Sequence, residues 1–234
     1  MGSGGRAPQL RRDVNQTVTD IMRSNIQWIV FDLGGVVVKL NIDGALEALA
    51  QRSDTDRNLI KTFMGARDES NLSPDEKLQL GLLEIDQYAA LLNQALRRKL
   101  TREEIVDLRM QVIQGEDEEV LEIIRALSVQ RKVACFSNTH AIHWDHMQAN
   151  YQSFRLWRRA IASHLIHAAK PDPKAFAIAC RELGAGPAEC LFIDDTLANA
   201  EAARAAGWHA IHFTGAVSLR EELEEFGLVL RHDT

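Results

Sequence analysis

The chain has 234 residues, enough for one large domain or for a core domain with a smaller insert. Hydrophobic residues make up 46% and charged residues 26%, the balance of a soluble globular protein with a sizeable core. The net charge of −6 offers no basic field for nucleic acid, and no apolar stretch approaches the ~20 residues that span a bilayer, so neither nucleic acid nor membrane is an expected partner.

The opening MGSGG is set aside as a tag remnant, and residues 11–24 read as a short amphipathic helix, so residues 1–25 form an N-terminal extension. From Gln27 to Asp32 a short apolar run with aromatic and β-branched residues reads as a buried strand, ended by Gly34 and Gly35. From Asp43 to Leu127 helical periodicity dominates, and Ser73 and Thr101 each stand before acids in the pattern of a helix start. Strand signals then resume at Lys132–Ser137 and, more weakly, at Arg159–Ser163. Pro173–Leu183 reads as a helix, Cys190–Asp194 as a strand and Leu197–Ala206 as a helix stopped by Gly207. His209–Phe213 is a further strand and Ser218–Phe226 a last helix. Alternating strands and helices predict an α/β fold with a doubly wound parallel sheet. Residues 26–42 and 128–234 form its core, and 43–127 form an all-helical cap inserted between the first and second core strands. Cys135, Cys180 and Cys190 show no paired spacing, which points to a reducing cytoplasm.

Ligands of an open parallel sheet bind beyond the carboxyl ends of its strands. The first strand delivers Asp32 there, the second Ser137, Asn138 and Thr139, and the fourth Asp194 and Asp195. Lys170 sits in a turn bounded by Pro171 and Pro173. Each residue alone has an ordinary reading as a cap, a turn or a solvated side chain. Together they bring three carboxylates, a hydroxyl and an ammonium to one edge. Such carboxylates raise one another's pKa unless positive charge intervenes. Mg²⁺, which takes oxygen ligands and binds beside phosphate groups, answers that need.

This set resembles the four motifs of the haloacid dehalogenase-like (HAD) superfamily. FDLGGVVV is similar to the first, FSNT to the second, Lys170 in KPDPKAF to the third and FIDDTLANAEAARAAG to the fourth. The resemblance runs from residue 26 to about 230. The DLG start, and the SNT followed by Trp144, are similar to glucose-1-phosphate phosphatase-type members. It implies a Mg²⁺-dependent phosphatase acting on a small phosphorylated metabolite, a sugar phosphate among the candidates. Asp32 is then the nucleophile, and Asp32, the Gly34 carbonyl, Asp195 and, through water, Asp194 hold the metal. Ser137, Asn138, Lys170, Gly34 and Gly35 bind phosphate, and Asn199 orients the acidic loop.

Two positions depart from the family pattern. Gly34 stands where a second Asp commonly serves as general acid–base, and His167 stands three residues before Lys170 where glycine is common. The first departure leaves two readings open: an enzyme suited to leaving groups that need little protonation, or a phosphate- or metal-binding domain with little turnover. A 2-haloacid dehalogenase is a further alternative, disfavoured by the charge of Asp194 and Asp195, and so is a mutase, disfavoured by Gly34. His140 and His143 are read as surface or helix-capping residues, with proton donation as an alternative. A metal site of His140, His143 and His146 is the least favoured reading. Asp68, Glu69 and Gln79 are the cap residues considered for specificity.

Overall fold

The structure is a computed structural model that describes residues 25–228. The helix expected over 11–24 lies outside the described residues. Five parallel strands form the central sheet in the order β5-β4-β1-β6-β7. They are β1 (Trp28–Phe31), β4 (Lys132–Ser137), β5 (Arg159–Ala162), β6 (Cys190–Asp194) and β7 (His209–His212). Two further strands, β2 (Val38–Leu40) and β3 (Ile113–Glu116), pair antiparallel outside that sheet. No helix of the described residues is long and apolar enough to cross a membrane.

The strand order reverses at β1. From β1 the chain reaches β4 and then β5 on one side, before returning to β6 and β7 on the other. Binding crevices form at such a reversal, outside the carboxyl ends of the strands that flank it. Register makes this concrete: Phe31 is opposite Cys135 on β4 and Ile193 on β6. One residue further on, Asp32 is level with Phe136 and Asp194, and its amide donates to the Ile193 carbonyl at 2.8 Å.

Side chains alternate between the two sheet faces, as the period of a strand requires. Ile29, Phe31, Val133, Cys135, Leu191 and Ile193 join one cluster, which the helix Glu118–Ser128 completes with Val120, Ile123, Ile124 and Leu127. Val30, Ala134, Phe136 and Phe192 face the other way, against Ala175, Phe176 and Ala179 of the helix Pro173–Leu183. Small alanines on that helix let it lie close, and the rings of Phe136, Phe176, Phe192 and Trp208 fill the space. Deleting one of these buried rings costs about 3–5 kcal/mol.

A third cluster lies in the helices Ile42–Arg52, Arg57–Gly65, Pro74–Gln79, Ile85–Ala95 and Arg102–Met110. Ser73 with Glu76, and Thr101 with Glu104, close capping boxes at two of their starts, as the sequence pattern predicts. The stretch read as all helical differs in two ways. It contains β3, which pairs with β2, and each strand is too short to carry a period of its own. The helix Glu118–Ser128 also packs on the sheet instead of on the other helices of the stretch, because its apolar stripe matches the sheet face.

The helical cluster also rests on the short helix Ser163–Ile166 after β5 and on its C-cap, His167. Ser163 Oγ donates to the Gln79 carbonyl at 2.6 Å, and His167 Nδ1 is 2.8 Å from the Leu80 carbonyl oxygen. His167 has φ +51°, which explains why glycine suits its position; histidine tolerates this region better than most side chains, and its ring gains the Leu80 contact. Gly81 has φ +65°, and a Cβ there would lie 2.5 Å from the His164 carbonyl oxygen. Gly81→Ala is therefore expected to lower stability by about 2 kcal/mol, read as a lower urea midpoint. Gly65→Ala, which meets no atom within 4 Å, is expected to leave the midpoint unchanged or slightly raised.

Candidate active site

Lys170 lies between two carboxylates. Its Nζ is 3.0 Å from Asp32 Oδ1 and 2.7 Å from Asp194 Oδ2, and it donates to the Phe136 carbonyl at 2.8 Å. The ammonium has no solvent-exposed surface and lies over the Phe136 and Phe192 rings. A cation in such a place needs its partners: truncating one side of a buried pair typically costs 3–5 kcal/mol. The turn that carries Lys170 is fixed from β4. Asn138 Nδ2 donates to the Lys170 carbonyl at 2.8 Å, and the Lys170 amide donates to Asn138 Oδ1 at 2.9 Å. The Asn138 amide is thus spent on the backbone of Lys170. This differs from a phosphate-binding side chain and makes Asn138 a positioning residue.

Asp194 is fully buried and fully engaged. Besides Lys170, its Oδ1 accepts from the Thr196 amide at 2.8 Å, and Asn199 Nδ2 lies 3.1 Å from both oxygens. Asp195 turns outward from the same strand end and is exposed. Its closeness to β1 depends on Gly35, which has φ +80°. A Cβ on Gly35 would lie 2.2 Å from Asp195 Oδ2, so only glycine leaves room for that carboxylate.

Ligand oxygens of Asp32, Asp194 and Asp195 lie within 4.8 Å of one another. Burial raises the Asp32 carboxyl from its ordinary value to about 6, against the pull of Lys170 and with a further push from Asp194. Burial, then the Asp194 charge, also raises Asp195. One ammonium therefore does not neutralise the three acids. A compact set of hard oxygen donors with surplus negative charge suits a divalent cation such as Mg²⁺.

The Gly34 side of the site is apolar. A Cβ at Gly34 would sit 3.1 Å from Leu40 Cδ1, so the space of the missing side chain is bordered by a leucine. Ser137 and Asn138 close the other side at the end of β4, and with Gly34 they border a cavity that runs beneath the helical cluster.

The histidines differ from their expected surface or capping roles. His140 is 2% exposed and makes no side-chain cap, while His143 is half-buried beside it. Burial, then the Arg109 charge, depresses His140 far below its ordinary value. Burial likewise lowers His143 to about 4. His146 is exposed, and the three do not gather as a ligand set among the described residues. Asp68 and Glu69 are exposed and away from the cavity, whereas Gln79 lines it.

Sequence reasoning missed Asp75, Tyr88 and Arg109, which meet on the cavity wall. Arg109 Nη1 donates to Asp75 Oδ1 at 2.9 Å and to Tyr88 Oη at 2.8 Å. One signal was present: Ile105, Leu108, Arg109 and Val112 follow the i, i+3, i+4, i+7 pattern, with a charge where the apolar face should continue. Asp75 was hidden as an ordinary first-turn acid.

Comparison with known proteins places this geometry. The family of haloacid dehalogenase-like hydrolases matches residues 26–207. A D-ribitol-5-phosphate phosphatase of Bacteroides thetaiotaomicron is 25% identical over 216 residues, covering 85% of this chain and 97% of that protein. A HAD family enzyme from the same organism, solved with magnesium and inorganic phosphate, superposes with a TM-score of 0.70 at 21% identity. The match covers 80% of this chain and 93% of that one. A predicted HAD-like family hydrolase from Porphyromonas gingivalis gives 0.71 at 22% identity, covering 85% and 98%. With the family matched over most of its length, the chain belongs to the haloacid dehalogenase-like hydrolases.

Proposed function

We propose that the protein is a Mg²⁺-dependent phosphatase of a small phosphorylated metabolite, working through an aspartyl-phosphate on Asp32. The observation that carries this reading is the buried Lys170 ammonium bridging Asp32 and Asp194, with Asp195 alongside. The phosphatase relative and the magnesium–phosphate complex of a structural neighbour support it.

Asp32 Oδ1 accepts from Lys170 and from the Leu33 amide at 2.8 Å, so Oδ2 is the nucleophile we assign. Its lone pair attacks phosphorus, the phosphorus–oxygen bond to the leaving group breaks, and the departing oxygen takes a proton from solvent. Water then attacks the same phosphorus, the bond to Asp32 breaks, inorganic phosphate leaves with loss of a proton, and the carboxylate returns. Splitting the hydrolysis in this way gives two easier steps. Ser137 grips the phosphoryl oxygens, and Lys170, still held by Phe136 and Asp194, reaches them by turning one N–H away from Asp32 Oδ1. Mg²⁺ held by Asp32, Asp195 and the Gly34 carbonyl, with Asp194 acting through water, would neutralise phosphoryl charge when bound. Asp194 also holds Lys170, and Asn199 holds Asp194.

Hydrolysis of p-nitrophenyl phosphate with Mg²⁺ tests the reading. Activity is expected to vanish with EDTA and to fall at least about 10³-fold in Asp32→Asn. Inert wild-type protein would favour the binding-domain reading instead. Asn199→Ala is expected to lower kcat about 10–100-fold with a smaller change in KM, because the substrate does not touch Asn199. Gly34→Asp requires Leu40 to yield by a few tenths of an ångström and supplies a proton donor near the leaving group. Its expected effect is a rise in kcat for alkyl phosphates, up to about 10²-fold, with little change for p-nitrophenyl phosphate, measured by phosphate release.

A further inference from the structure

Between the acidic edge and the helical cluster lies a cavity of about 400 Å³, opening on Gly34, Ser137 and Asn138. Its size suits a small ligand. Its walls are mainly aliphatic, with Leu46, Leu49, Met64, Leu92, Leu108 and Met147 among them. Leu40 carries this apolar wall up to the Gly34 backbone.

Asp75, Tyr88, Arg109, His140 and His143 on the wall are tied to one another, while Gln79, Ser137, Asn138 and Thr139 also line it. Arg109 holds Asp75 and Tyr88, Tyr88 Oη is 3.2 Å from Asp75 Oδ2, and His143 Nε2 is 2.8 Å from the Arg109 carbonyl oxygen. His140 is different. Arg109 Nε always carries hydrogen and donates to His140 Nε2 at 3.3 Å, so the neutral ring bears its own proton on Nδ1. That Nδ1 is buried without a partner among the described residues. Closed off in this way, Nδ1 offers a ligand in the cavity no hydrogen bond.

A polyol chain in this cavity would press its hydroxyls against aliphatic side chains, and each hydroxyl without a partner weakens binding. We infer that the cavity takes the leaving group of a phosphomonoester of an apolar alcohol, whose carbon body packs on the leucines and methionines. This deepens the phosphatase reading and rests on it, and it departs from the polyol phosphate of the curated relative.

Competition separates the two claims. Acetyl phosphate, too small to reach the cavity, serves as reporter substrate with Mg²⁺. Hexyl phosphate and D-ribitol 5-phosphate, both esters of primary alcohols, are compared as competitors of its hydrolysis. Hexyl phosphate is expected to compete at least about 10-fold more tightly, as several buried methylenes require. The ratio is expected to shrink several-fold in Met64→Gln. Equal or tighter competition by D-ribitol 5-phosphate overturns the apolar assignment while leaving the phosphatase intact. Absence of acetyl phosphate hydrolysis overturns the phosphatase reading itself.

Discussion

The buried ammonium of Lys170 is the constraint on which the site depends. Its three acceptors come from three different segments: Asp32 after β1, Phe136 on β4 and Asp194 on β6. Those strands are neighbours only because the sheet order reverses at β1. The charge in turn restrains the fold. Without Lys170, two buried carboxylates would face each other across the strand ends, and no apolar packing around Phe136 and Phe192 would compensate. Topology brings the segments together, and electrostatics then holds their ends in one arrangement.

Much of this was legible because the sequence punctuates it sharply. The bounds of β4, β6 and the helix Pro173–Leu183 agree residue for residue with the sequence pattern, since the strands are short apolar runs ending in a polar or charged residue and the helix starts at proline and stops before Gly184. The gathering of Asp32, Asp194, Asp195 and Lys170 followed from one rule, that a parallel sheet presents its ligands at the carboxyl ends. What stayed hidden has a common physical cause. The pairing of β2 with β3, the destination of the helix Glu118–Ser128 and the meeting of Asp75, Tyr88 and Arg109 all depend on contacts between remote segments. Three or four residues carry too little periodicity to announce a strand. An amphipathic stripe does not say which surface it will cover. His140 looked like a capping residue because its burial is imposed by Arg109 and the helices above it.

Glycine governs the site at two adjacent positions for opposite reasons. At Gly35 a side chain would collide with a carboxylate, so the residue is demanded by the approach of Asp195. At Gly34 φ is ordinary and the neighbour is a leucine with room to move, so the position is open to a side chain. The absent acid is therefore not a requirement of the backbone. It goes with an apolar wall that begins at Leu40 and continues along the cavity.

The ribbon of β2 and β3 has a consequence for the segment it encloses. The polypeptide leaves the sheet through β2 and comes back through β3, and the Asn41 amide bonds the Val112 carbonyl at 2.8 Å where the two strands part. The ends of the intervening segment are thus tied together whatever lies between them. Lengthening a closed loop costs only about 0.6 kcal/mol per doubling. A change of length between those ends therefore costs little in loop closure, and the strand ends that carry Asp32 and Asp194 lie outside that segment.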